Sequence, residues 1–150
     1  MIIAQWPLLQ TNADENQARV SPDGLWIAYT SDENGQQEVY ISRFPSMSAK
    51  RQISLAGGIS ARWRGDGREI FYLSFDNTIH AAQMQLASDH FDVTGVAPLF
   101  RADLRSILQG HAYDVAPDGQ RFLLNSPAEE QVKPVVLVQN WPAELPPKQF

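Results

Sequence analysis

Three stretches of this chain share one pattern, and that pattern limits the fold more than any other feature of the sequence. Residues 18–31 read Ala-Arg-Val-Ser-Pro-Asp-Gly-Leu-Trp-Ile-Ala-Tyr-Thr-Ser. Residues 61–74 read Ala-Arg-Trp-Arg-Gly-Asp-Gly-Arg-Glu-Ile-Phe-Tyr-Leu-Ser, and residues 113–126 read Tyr-Asp-Val-Ala-Pro-Asp-Gly-Gln-Arg-Phe-Leu-Leu-Asn-Ser. Each is a short strand, an Asp-Gly turn, an apolar strand and a closing Ser. The turn has a physical basis. Pro22 and Pro117 preset the φ of the second turn position, and Gly24, Gly67 and Gly119 accept a positive φ after Asp23, Asp66 and Asp118. The middle unit keeps Asp66-Gly67 and lacks the proline. A turn this tight joins antiparallel neighbours.

The Asp-Gly pairs fall 43 residues apart, then 52 apart. A period of about 40–45 residues is that of a four-stranded propeller blade. The additional nine residues belong between 87 and 110, where the pattern is weakest. Residues 38–44 alternate and are rich in β-branched and aromatic side chains, so they read as a strand after a hairpin loop at 32–35. Residues 51–55 read as a short polar edge strand, and Gly57-Gly58 breaks the chain before the next unit. The second unit offers strands at 69–74, 78–86 and 97–101, and the third at 121–126 and 134–140. The expectation is an all-β, partial β-propeller of about three four-stranded antiparallel blades. They run over 11–58, 59–101 and 112–141, after an outer strand at 2–10 and before a proline-rich tail at 142–150. Residues 102–109 are the one helix candidate.

The repeat resembles that of TolB-type, WD-repeat-like β-propellers, carried by the Ala-Arg-Val-Ser-Pro-Asp-Gly unit and the Glu-Val-Tyr-Ile strand that follows it. With the Ala-Arg-Trp-Arg and Tyr-Asp-Val units and a late Val-Val-Leu-Val-Gln-Asn-Trp, the stretch is also similar to the C-terminal propeller of bacterial receptor-like serine/threonine kinases. That resemblance spans residues 6–141. It implies a non-catalytic scaffold for protein interaction or ligand sensing in a signalling protein, in an extracytoplasmic location. The alternative is a substrate-gating propeller fragment of a prolyl-oligopeptidase-type serine peptidase. A third reading is a gene remnant.

Composition removes several classes. The net charge is −5 and no basic cluster occurs, which argues against phosphate-dominated nucleic-acid binding. There is no cysteine, so disulfides and thiolate metal sites are excluded. Residues 1–7 lack the basic and apolar regions of a signal peptide, and no run approaches the length that spans a membrane.

Catalytic patterns are also missing. Kinase and nucleotide-loop motifs are absent. Gly58-Ile59-Ser60-Ala61-Arg62 lacks the second glycine of a nucleophile elbow and reads as an interblade loop. His80, His90 and His111 have no helical ligand spacing. Residues 32–35 lack the ordered ligands of a calcium loop. Arg64-Gly65-Asp66 spells an integrin tripeptide but occupies the turn of the repeat. Glu129 and Glu130 are adjacent, so on a strand they would face opposite ways and make a poor acid/base dyad. Trp26 and Trp63 read as interblade packing, and Trp141 as a candidate exposed contact. No catalytic residue, metal or cofactor is expected.

Propellers bind where loops converge at an axial end. The candidate binding residues are therefore Asp32, Glu33 and Asn34 on one loop and Phe75, Asp76 and Asn77 on another, with 57–60 between. Pro22, Asp23, Gly24, Asp66, Gly67, Pro117, Asp118 and Gly119 are structural turn residues. The partner is a protein or small ligand. A second copy is also expected to complete the ring, the 2–10 strand of one chain clasping the last blade of the other.

Overall fold

The computed structural model describes residues 7–104 and 112–126, and the backbone of 135–139. Strands β1 (Glu15–Val20), β2 (Trp26–Ser31), β3 (Glu38–Arg43) and β4 (Arg51–Gln52) form one antiparallel sheet in sequence order. Strands β5 (Ile59–Trp63), β6 (Glu69–Leu73), β7 (Thr78–Leu86) and β8 (Phe91–Arg101) form the second in the same order. The third holds β9 (Tyr113–Val115), β10 (Arg121–Asn125) and β11 (Val135–Gln139). This is a partial β-propeller, and no helix occurs among the described residues.

The third sheet has three strands among the described residues. Residues 7–10 form no strand, and 2–6 lie outside the described residues, as does the tail. The helix candidate is not helical at 102–104, and its remainder lies outside. Trp6, Trp141, His111, Glu129 and Glu130 also lie outside the described residues. Much of the extra length of the second unit is spent on a long hairpin. There β8 runs eleven residues against β7, closed by the Ala87 N–H on the His90 carbonyl.

The Asp-Gly turns are near copies. Gly24, Gly67 and Gly119 have φ of +74°, +73° and +71° and donate to the carbonyls of Ser21, Arg64 and Ala116. The carboxylates of Asp23, Asp66 and Asp118 accept the N–H two residues on, from Leu25, Arg68 and Gln120 at 2.9–3.0 Å. The β6–β7 hairpin repeats the device. Asp76 accepts the Thr78 N–H, Asn77 donates to the Ser74 carbonyl, and Asn77 takes the left-handed conformation at φ +66°.

The sheets pack face to face, and the core lies between them. Trp26, Ala28, Val39 and Ile41 of the first sheet meet Ala61, Ile70, Tyr72, Ala82 and Met84 of the second, with Phe91 edge-on to Trp26 at 4.9 Å. Phe71, Leu73, Ile79 and Ala81 meet Tyr113, Phe122 and Leu124 across the next boundary, with Phe71 edge-on to Phe122 at 5.1 Å. Each fully buried large side chain contributes about 2–3 kcal/mol of transfer free energy. The inner strands β1 and β5 each carry a bulge, centred on Gln17 (φ +55°) and Ser60 (φ +58°).

Candidate functional site

The blades present two ends and an axial wall. One end carries the Asp-Gly turns. The Gly65 N–H donates to the Pro117 carbonyl at 2.9 Å, which ties two neighbouring turns together. An open polar cleft of about 680 Å³ lies beside them, lined in part by Asp23, Arg68, Gln83 and Thr94. Arg64 is taken up there by Asp66 at 3.4 Å and Glu69 at 3.1 Å.

The opposite end gathers the β2–β3 hairpin, the β6–β7 hairpin and the connection at 53–58. All six candidate binding residues are here, and most are engaged within the chain. Asp32 accepts the Asp14 N–H at 2.8 Å. Glu33 holds the Lys50 ammonium at 2.7 Å. Asn34 donates to the Tyr40 hydroxyl at 2.8 Å and to Gln52 at 3.1 Å. The Ser74 hydroxyl and the Thr78 N–H hold the Asp76 carboxyl below the usual carboxylate range. Phe75 differs from the other five. It is 43% exposed, and its ring lies over Gly57 so closely that a Cβ there would come within 2.4 Å of it. Leu55, on the same connection, is 86% exposed.

Beneath them lies a buried carboxylate that the sequence does not single out. Glu38, at the start of β3, accepts hydrogen bonds from the Ser54 hydroxyl, the Gly57 N–H at 2.9 Å and the Gln36 amide. The Gly58 N–H donates to the Gln37 carbonyl at 3.0 Å. The connection is therefore fastened to β3 and its hairpin, and this fixes where Leu55 and Phe75 stand. A lone polar residue opening an apolar strand gives no sign of this role.

The axial wall is made by β1, β5 and β9. Arg19, Arg62 and Asp114 occupy the same place in their three units. Arg62 pairs with Asp114 at 3.3 Å and lies over the Tyr113 ring at 5.7 Å. The Trp63 indole N–H donates to the Arg19 carbonyl at 2.9 Å, which joins the first two blades.

Ser60 is fully buried, and its N–H donates to Gln17 Oε1 at 2.7 Å. His80 stacks on Tyr72 at 5.1 Å, and burial lowers its pKa. His90 sits on exposed Asp89 at 2.8 Å. No group of three or more metal-ligating acids or histidines occurs among the described residues.

No family model matches the chain, and no curated protein matches it. Solved structures do. The chain is similar to TolB from Acinetobacter baumannii, with a TM-score of 0.57 and 18% identity over 83% of this chain and 29% of that one. It is also similar to an oligogalacturonate lyase from Vibrio parahaemolyticus, with a TM-score of 0.52 and 14% identity over 78% of this chain and 31% of that one. The chain spans about a third of the length of each. At such identities the likeness shows the fold.

Proposed function

We propose that this chain is a non-catalytic propeller module that holds a partner polypeptide at the end bearing Leu55 and Phe75. The observation that supports it is a pair of exposed apolar side chains on adjoining connections, Leu55 on the loop fastened to Glu38 and Phe75 on the β6–β7 hairpin with its ring packed against Gly57 of that loop. Exposed apolar residues on a rigid support cost little ordering entropy on binding, and aromatic side chains of this kind dominate interface energetics. The surrounding polar residues, Asp32, Glu33 and Asp76, are already engaged in turns and an ion pair, so they serve as rim rather than anchor.

The test is selection of a displayed random-peptide library against the folded protein. Peptides should be enriched whose binding drops at least about tenfold with Phe75→Ala and with Leu55→Asp, without loss of thermal stability. Enriched peptides that bind both variants as well as the parent would place the interface elsewhere. The reading includes a scaffold role in an extracytoplasmic signalling protein and enzymatic silence. Esterase, peptidase, phosphotransfer and oligogalacturonate-cleavage assays should show no turnover. Turnover abolished by Ser60→Ala would overturn it.

A further inference from the structure

We infer that the axial groove between the three inner strands is a binding site for a monocarboxylate with an apolar body. The Arg19 guanidinium holds the carboxylate, and Val20, Trp63 and Leu123 receive the body. The groove has a volume of about 580 Å³ and draws on all three blades, within the range of small-ligand sites of roughly 300–1,000 Å³.

The charge argument comes from the repeat. Arg62 finds its partner on the next blade at the same repeat position, where Asp114 stands. The next blade seen from Arg19 offers Arg62, another cation. Arg19 has no ion-pair partner among the described residues, and its guanidinium donates to the Ala18 carbonyl at 2.9 Å. Among the described residues the groove therefore carries two arginines against one aspartate, with one positive charge uncompensated. A carboxylate matches a guanidinium fork in two parallel hydrogen bonds.

The apolar half of the ligand is read from the lining of the same groove, to which β10 adds Leu123. Val20 is 45% exposed and Leu123 48% exposed, two of the few large apolar side chains left in solvent among the described residues. Trp63 lies between them in sequence order of the blades, its indole pinned to the Arg19 carbonyl. Exposed aliphatic side chains beside an uncompensated arginine favour an amphipathic anion over inorganic phosphate, which would leave them in water. Two sources share this chemistry, a free organic acid and the C-terminus of a peptide ending in an apolar residue. The groove is separate from the end bearing Phe75, so neither proposal rests on the other.

The experiment titrates ¹⁵N-labelled protein and follows the Trp63 indole N–H, assigned with Trp63→Phe. The probes are 3-phenylpropionate, its neutral amide, and N-acetyl-Ala-Ala-Leu with a free or an amidated C-terminus. The free acids should shift the Trp63 signal, with the amides at least about tenfold weaker. Arg19→Gln should remove the difference between acid and amide. Asp114→Asn, which releases the charge of Arg62, should tighten acid binding several-fold. Phe75→Ala should leave it unchanged. A response to the organic acid alone assigns a small-molecule site, and a response to the peptide acid as well assigns a C-terminus. No probe moving Trp63, amides matching acids, Arg19→Gln binding like the parent, or Asp114→Asn weakening acids would each overturn the inference.

Discussion

The first and third sheets stand at the two ends of the described stack, and they treat their outward faces differently. On the first, Ile27, Tyr29 and Tyr40 are buried although no sheet of the described residues lies beyond them. Leu8 and Leu9 pack over that face together with Phe44 and Met47 from the β3–β4 loop, and the Tyr29 and Tyr40 rings stack at 5.9 Å. A few residues of irregular chain thus cover this face. On the third sheet no described residue covers Leu123 in this way, and β10 alternates, with Phe122 and Leu124 buried toward the second sheet and Arg121, Leu123 and Asn125 exposed. The difference teaches that a strand apolar on both faces needs two coverings, while a strand at the limit of a stack can be polar on one. It also bears on ring completion. A second copy docking on the first sheet would have to displace Leu8 and Leu9.

The largest expected effect tests that contrast inside one strand. Phe122→Ala should cost about 3–5 kcal/mol, because it empties the site between Phe71, Phe100 and Tyr113. Leu123→Ala, one residue on, should stay within about 0.5 kcal/mol. Urea denaturation of both measures the gap. Equal losses would mean the outward face is covered in solution.

The turns come next. Gly24→Val should cost about 1–3 kcal/mol from backbone strain alone, since nothing lies within 4 Å of a Cβ there. Gly119→Val should cost more, because its Cβ would meet Arg64 at 3.2 Å and Phe71 at 3.3 Å. Thermal melts that rank the two the other way would contradict this geometry.

The joint variant Leu8→Ala, Leu9→Ala should lose about 1–2 kcal/mol by uncovering the first sheet, read from the same denaturation curves. It should also lower the titration points of Tyr29 and Tyr40. Burial raises both phenols in the parent, raises Tyr113, and pushes Tyr72 up to about 12. An unfolded phenol titrates near 10. The stability held in the neutral Tyr72 phenol is therefore complete below pH 10 and is lost as the pH rises from there through about 12, and the other raised phenols act in the same direction. Melting temperatures should fall across that window, and tyrosinate absorbance should appear with unfolding and not before it. Tyrosinate forming in the folded parent at pH 10 would show the phenols to be solvated.

The strands of the repeat were legible because turn chemistry and apolar pattern agree there. The expected strand at 78–86 coincides with β7. The start of β8 was not legible. Residues 91–96 mix Phe91 with Asp92, Thr94 and Gly95, and most are exposed, so their pairing with β7 is a matter of backbone hydrogen bonds, not of side-chain pattern. The bulges were hidden for a related reason, since neither Gln17 nor Ser60 is a glycine. At the candidate site, convergent loops were predictable from topology, and they did bring Phe75 onto Gly57. Leu55 gave no signal, because one leucine in a polar loop is ordinary. The axial charges were visible as Arg, Arg and Asp in one column of the repeat. Their meaning depends on three inner strands facing one axis.

The bulge on β1 does more than bend a strand. Gln17 sends its side-chain oxygen to the bare amide of Ser60 at the equivalent point of the next blade, and Thr30 donates to the same oxygen. The acceptor is a glutamine side chain and the donor a serine amide, so the joint has a polarity: the two units cannot trade places and keep it. Blades that look interchangeable in sequence are in this respect addressed. A tandem array made by duplicating the second unit would put serine where the acceptor must be, and its blades would stack without a fixed order.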